Sequence, residues 1–286
     1  MKTRKCEQCG KTVTEKRNKA RVFCSAECYH DSQKKIHKRK CLHCKGIFHL
    51  KNIAYEKRGG GKYCSKECSR YATKKHTFNE DFFADIDTEE KAYWLGFLIA
   101  DGWNTMDEIA VELSVVDKAH LEKLKQGLNA TQEVSYRKRL SFGAEREYAS
   151  IRFSSRKMCK DACLVGLVPN KSFVVRYPDI NPSLDRHFIR GIYDADGCFS
   201  IHSNAKYATW SIYTSSRCMW KSLIEALSKD LDMKVCRYDT QGFVISVNAV
   251  RDLRKIFSYL YDDSTICLDR KKNKWIQFLK TINSQI

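Results

Sequence analysis

Tyr93-Trp94-Leu95-Gly96-Phe97-Leu98-Ile99-Ala100-Asp101-Gly102 returns, 95 residues later, as Phe188-Ile189-Arg190-Gly191-Ile192-Tyr193-Asp194-Ala195-Asp196-Gly197. The two stretches share a mid-segment Gly, a small residue four positions on, and a closing Asp-Gly. Both read as helices. Gly96 and Ala100, like Gly191 and Ala195, fall on one helical face, because residues four apart are neighbours there. A Gly inside a helix costs about 1 kcal/mol relative to Ala. Its presence in both copies therefore needs a reason, and close pairing of the two helices supplies one. Pairing brings the C-terminal ends together and makes Asp101 and Asp196 neighbours. Each carboxylate then faces the negative end of a helix dipole as well as the other carboxylate. A divalent cation with a preference for oxygen ligands, Mg²⁺ or Mn²⁺, would relieve both conflicts.

Working outward, each half repeats an order of elements. The first helix is expected to start at Asp87, with Glu90 three residues on. The second is expected to start with Asn181 as cap and Pro182 at the first helical position. Each Asp-Gly is read as a helix end, where Gly is common. Strand-like runs follow at Ile109 to Ser114 and Ser211 to Thr214, then amphipathic helices at Asp117 to Leu128 and Arg217 to Leu231. Strands return at Tyr148 to Phe153 and Phe243 to Val247, before helices near Lys157 to Gly166 and Val250 to Leu260. The fold class is α+β, with αββαββα present twice, over 78–180 and 181–286.

The first 77 residues differ in kind. They hold 22 Lys and Arg against 6 Asp and Glu, a net charge of +16 out of +18 for the whole chain. Cys6-x2-Cys9 with Cys24-x3-Cys28 is followed by Cys41-x2-Cys44 with Cys64-x3-Cys68. The second pairs read CSAEC and CSKEC. Four cysteines at this spacing match tetrahedral zinc, so two structural Zn²⁺ sites are expected, in modules 1–36 and 37–77. His30, His43 and His49 are read as surface residues. The charge excess, continued by Lys34, Lys35, Lys38, Arg39 and Lys40 and then by Arg70, Lys74 and Lys75, points to nucleic-acid phosphates. Cys159, Cys163, Cys198, Cys218, Cys236 and Cys267 follow no metal pattern and are read as buried thiols. No apolar stretch nears the roughly 20 residues that span a bilayer. The expected setting is soluble and intracellular, in a reducing compartment.

WLGFLIADG and IRGIYDADG, in this frame, resemble the two motifs of a single-chain LAGLIDADG homing endonuclease, from about residue 85 to the end. The resemblance implies two related units packed through their motif helices, each laying a curved antiparallel sheet in the DNA major groove. It also implies a monomer that cuts a long, asymmetric double-stranded target and leaves a 5′-phosphate and a 3′-hydroxyl. Asp101 and Asp196 would hold Mg²⁺ or Mn²⁺ at the scissile phosphates. The basic residue that the family uses near the end of each repeat aligns with Lys171 in Val168-Pro-Asn-Lys-Ser172. In Leu268-Asp-Arg-Lys-Lys272 it aligns with Lys271, with Lys272 and Lys274 as rivals. Asp194, opposite Ile99, receives no catalytic role. Strand alternation nominates Arg137, Arg139, Arg146 and Arg152 as DNA contacts in the first half. His202, Asn204, Lys206, Arg237, Tyr238 and Gln241 are nominated in the second. Similar zinc modules occur on phage and intron endonucleases, where they anchor DNA. Two alternatives go with the resemblance. One is a strand-specific nickase, since the halves differ at Trp94 and Ile189 and at Ile99 and Asp194. The other is an RNA maturase or DNA-binding regulator that does not cut.

Overall fold

A computed structural model describes residues 3–14, 22–33, 37–50, 60–73, 75–141, 143–202, 207–231, 237–239 and 242–283. The chain divides into two compact units, 1–75 and 76–286.

The first unit contains two short motifs built alike. Strands β1 (Thr3–Lys5) and β2 (Thr12–Thr14) form a hairpin, followed by helix α1 (Ala26–Gln33). Strands β3 (His37–Lys40) and β4 (Ile47–Leu50) form another, followed by α2 (Lys66–Ala72). Each hairpin turns through a Cys-x2-Cys knuckle. The Cys6 amide donates to Lys11 O and the Gly10 amide to Cys6 O; the Cys41 amide donates to Gly46 O and the Lys45 amide to Cys41 O. The fourth residue after the first cysteine must take a left-handed backbone. Gly10 does so at φ 74° and Lys45 at φ 60°, a conformation that a glycine adopts without steric cost.

In the second unit, α3 (Glu89–Asp101) leads to β5 (Gly102–Asn104), β6 (Ile109–Ser114), α4 (Lys118–Gly127), β7 (Ser135–Ser141), β8 (Ala144–Phe153) and α5 (Arg156–Leu164). The order returns with α6 (Asp185–Asp196), β9 (Cys198–Ile201), β10 (Ala208–Thr214), α7 (Arg217–Leu231), β11 (Arg237–Asp239), β12 (Gly242–Val247) and α8 (Val250–Tyr261). The two antiparallel sheets run β5-β6-β8-β7 and β9-β10-β12-β11, the same strand order in both repeats. The duplicated αββαββα frame is thus present. A further helix, α9 (Asp269–Asn283), follows the second repeat. The lysine-dense segment that opens it masked its periodicity in the sequence.

The cap of helix α3 falls one residue later than Asp87. Thr88 is the cap, its hydroxyl accepting from the Lys91 amide, while Asp87 pairs with the Lys91 ammonium at 2.7 Å. A threonine oxygen reaches the third amide of the helix from the cap position, and that leaves Asp87 outside. Asn181 caps a 3-10 turn, Pro182–Leu184, that feeds into α6 rather than capping α6 itself. From Ala92 to Ile99 every side chain of α3 is buried. A helix apolar all round is one enclosed on every side, here by α6 and by the sheets.

The helices meet at their glycines. A methyl group on Gly96 would strike the Phe188 carbonyl and crowd the Ile192 amide. One on Gly191 would strike the Tyr93 carbonyl and crowd the Phe97 amide. The contact is reciprocal, residue for residue. The terminal glycines are a different case. Gly102 (φ −84°) and Gly197 (φ −72°) are extended, not left-handed. They are needed because a side chain there would collide with the Leu98 carbonyl or with Tyr193. One apolar core runs through both repeats.

Candidate active site and metal centres

The paired helices bring the carboxyl groups of Asp101 and Asp196 close enough for each to act on the other's ionisation. Burial, and then the negative charge of Asp196, push the Asp101 carboxyl up to about 6. Burial also raises Asp196, opposed by the charges of Lys271 and Lys171 and by the interaction with Asp101. Two acids so placed hold a proton between them or take a cation in its stead.

Lysines close the site from both repeats. The Lys171 ammonium donates to Gly102 O. The Lys271 ammonium donates to Gly197 O at 2.5 Å, Tyr193 O at 2.6 Å and Ala195 O at 3.1 Å. Gly102 and Gly197 are matching positions, so each lysine neutralises the carbonyl end of its own repeat's motif helix. Burial presses Lys271 down to about 8, against the pull of Asp194, Asp101 and Asp196. Lys171 is lowered by burial as well. Of the rivals, Lys272 lies 5.9 Å from the Tyr261 ring and Lys274 donates to Phe199 O, one residue into the next strand. A cleft of about 260 Å³ opens beside the acids, lined by Ile99, Ala100, Lys171, Asp196, Tyr213 and Thr214 among others.

Asp194, which sequence left without a role, is buried and fully engaged. It accepts from the hydroxyls of Tyr93 (2.9 Å) and Tyr261 (2.5 Å) and from the Leu268 amide (2.7 Å). Arg190, one turn earlier, is also buried. It donates to Glu89 at 2.7 Å, to Leu260 O at 2.8 Å and to Ile266 O at 2.9 Å. The signal for both was present in the sequence: two charged residues four apart on a motif helix, where the other copy has Leu95 and Ile99.

Strand register puts Arg137, Arg139, Arg146 and Arg152 on one face of the first sheet, away from Val111, Ile151 and Phe153 in the core. On that face Glu112 pairs with Arg137 and, at 3.3 Å, with Arg139; Glu108 pairs with Arg152 at 2.9 Å. In the second sheet the outward residues of β10 are Thr209, Ser211 and Tyr213, opposite Ser200 and Cys198 of β9 and Ser246 of β12. This hydroxyl-rich face was missed, although the alternation of Ala208-Thr-Trp-Ser-Ile-Tyr213 marks it. His202 Nε2 lies 3.3 Å from Thr209 Oγ1. Arg237 and Tyr238 pair in register with Val244 and Phe243. Asn204, Lys206 and Gln241 lie outside the described residues, as do Lys34, Lys35, Lys74 and Cys236. Cys198 and Cys218 are exposed, contrary to the reading of buried thiols, whereas Cys159 and Cys267 are buried. Cys198 is turned outward by the alternation of β9.

Each cysteine quartet of the first unit converges. Within each, the four sulfurs lie within 4.8 Å of one another. Cys24 Sγ is 3.4 Å from those of Cys9 and Cys28; Cys64 Sγ is 3.6 Å from Cys44 and 3.4 Å from Cys68. A Zn–S bond of about 2.3 Å gives a tetrahedral edge of about 3.8 Å, so only small adjustments separate these quartets from zinc geometry. The Cys24 amide donates to Cys6 Sγ and the Cys64 amide to Cys41 Sγ, bonds that favour thiolates. His43 stacks on Tyr71 at 5.7 Å. We expect two zinc ions per chain by elemental mass spectrometry. Replacing Cys9 and Cys28 together by Ser should lower that to one, and a value unchanged at two would show that the first quartet is no metal site.

No protein-family model matches the chain, and no curated protein matches it by sequence. Solved structures do resemble it. The homing endonuclease I-WcaI bound to its DNA recognition sequence shares 13% identity at a TM-score of 0.48, covering 68% of this chain and 91% of that one. I-SmaMI bound to an uncleaved DNA target shares 15% at 0.47, covering 68% and 90%. Full-length DUF199/WhiA from Thermatoga maritima shares 14% at 0.44, covering 72% and 66%. This chain thus spans about two thirds of the length of the last. At such identities and scores the functional reading stands on the chain's own geometry. Among the described residues, no helix is long and apolar enough to cross a membrane.

Proposed function

We propose that this chain is a divalent-metal-dependent endonuclease of the LAGLIDADG kind, acting on double-stranded DNA as a monomer of two catalytic repeats, 78–180 and 181–286. The observation that carries the reading is the close approach of Asp101 and Asp196 at paired helix ends, flanked by one lysine from each repeat. The acids offer a compact, all-oxygen donor set; burial raises both above the ordinary carboxylate range, and the charge of Asp196 raises Asp101 further. That set suits Mg²⁺ or Mn²⁺. A divalent ion held there supplies an activated water and charge to stabilise the leaving oxygen.

Lys171 and Lys271 offset the charge of a phosphate brought to the cleft. A lysine pressed to about 8 exchanges its proton near neutral pH. The arginine face of the first sheet and the hydroxyl face of the second present donors for base edges and phosphates. The zinc modules, 1–36 and 37–77, carry most of the net positive charge and anchor the DNA through phosphates, a contact that weakens as salt rises.

Incubation with Mg²⁺ and the genomic DNA that flanks the gene tests this. The wild-type protein should cut that duplex at one site. Asp101→Asn with Asp196→Asn should lose at least about a thousandfold in rate, the range seen when groups acting in the transition state are removed. Undiminished cutting by the double variant would sink the proposal.

A further inference from the structure

The two lysines are delivered to the site differently. Lys171 follows Asn170, whose backbone is left-handed at φ 52°. Its segment is held by Asn104, which donates to Leu167 O at 2.8 Å and to Cys159 O at 2.9 Å. Lys271 is preceded by five residues that are each gripped by a side chain. Arg190 donates to Ile266 O at 2.9 Å. Lys123 donates to Cys267 O at 2.9 Å. Asp194 accepts from the Leu268 amide at 2.7 Å. Lys123 pairs again with the Asp269 carboxylate at 2.8 Å, and Asp117 with Arg270 at 2.8 Å.

Arg190 and Asp194 lie on α6, in the same repeat as Lys271. Lys123 lies on α4 and Asp117 just before it, both in the first repeat. The first repeat therefore holds the start of α9 in place. One ammonium group, on Lys123, spans two residues of that segment on either side of Leu268, the Cys267 carbonyl and the Asp269 carboxylate. Its side chain is about one-third exposed and is remote in sequence from both motifs.

We infer that Lys123 is a positioning residue for Lys271: the first repeat sets, through this clamp, the rate at which the strand served by Lys271 is cut. The inference rests on the endonuclease reading. A lysine that must meet three carbonyls and a phosphate at once loses rate when its backbone wanders, since small misplacements at a reacting centre are costly. The Lys171 centre does not share the clamp. Loss of Lys123 therefore slows one strand and spares the other.

The test is a time course on a target duplex with each strand labelled separately, in Mg²⁺. Lys123→Met should slow one strand at least tenfold and leave the other within twofold, so that nicked duplex accumulates. Lys123→Arg, which keeps the charge and the donors, should restore most of the lost rate. A general folding defect would slow both strands alike, so equal slowing overturns the inference. So does no slowing at all, or failure of the Arg variant to rescue. If Lys123→Met does not fold, Asp269→Asn, at an exposed carboxylate, weakens the same clamp and must meet the same strand-selective standard. Failure of the wild-type protein to cut either strand is a separate result; it removes the endonuclease reading and this inference with it.

Discussion

Asp101→Asn, alone, should make the protein more stable while it abolishes cutting. Burial and the neighbouring acid hold the Asp101 carboxyl at about 6 in the folded chain, against an ordinary value of 3.8. A raised acid binds its proton more tightly folded than unfolded. Its ionisation therefore works against the fold. The favourable contribution is complete below about pH 4 and is lost as pH rises through about 6. At pH 7 and without divalent metal, a shift of about 2 units corresponds to about 3 kcal/mol, of which an isosteric amide should recover about 2. For a unit of this size that raises the melting temperature by roughly 4–8 °C. The gain should shrink as pH falls from 7 to 4, because the wild-type carboxyl then protonates. Mg²⁺ should raise the melting temperature of the wild type and leave the variant unmoved. Thermal melts at pH 4.5 and 7.5, with and without Mg²⁺, read all of this. A variant less stable than wild type at pH 7.5 would show that the two acids are not in conflict.

The opposite sign is expected at Gly96. Helix propensity alone predicts that Gly96→Ala stabilises by about 1 kcal/mol. The added methyl, however, meets the Phe188 backbone, which has no rotamer to give. The helices must separate. Overpacking of this sort costs about 1–3 kcal/mol, and more where backbone opposes backbone. A net loss of about 2–4 kcal/mol in urea melts is expected, with a further loss for Gly96→Val. Separation also parts Asp101 from Asp196, so cutting should fall out of proportion to the folded fraction. Gly191→Ala should do the same, since its methyl meets the Tyr93 backbone. If either alanine variant is as stable as wild type, the helices are not held at backbone contact.

These two cases show what sequence could reveal. The duplicated Gly-x3-Ala-Asp-Gly pattern marked the helix pairing and the acid pair, because both depend on spacing along single helices. The cysteine quartets were legible for the same reason: ligand spacing is local. Terminal glycines were legible in place but not in cause. Gly102 and Gly197 keep negative φ and serve close approach instead of a left-handed turn. The clamp around Lys271 was not legible. Lys123 and Asp269 are 146 positions apart, and nothing periodic links them. Glu112, which occupies Arg137 and Arg139, was invisible for the same reason.

Arg190 and Asp194 carry one more consequence. Both reach across to the first motif helix, Arg190 to Glu89 and Asp194 to Tyr93. The matching positions in the second repeat are Leu184 and Phe188. Two copies of the second repeat, set side by side, would leave a guanidinium facing a leucine and a carboxylate facing a phenylalanine, both enclosed. Two copies of the first would leave the Tyr93 hydroxyl opposite Ile99 and Glu89 opposite Leu95. Neither half can now be rebuilt from the other. The two halves are committed to each other: neither could pair with a second copy of itself without stranding a polar or charged group that its present partner satisfies.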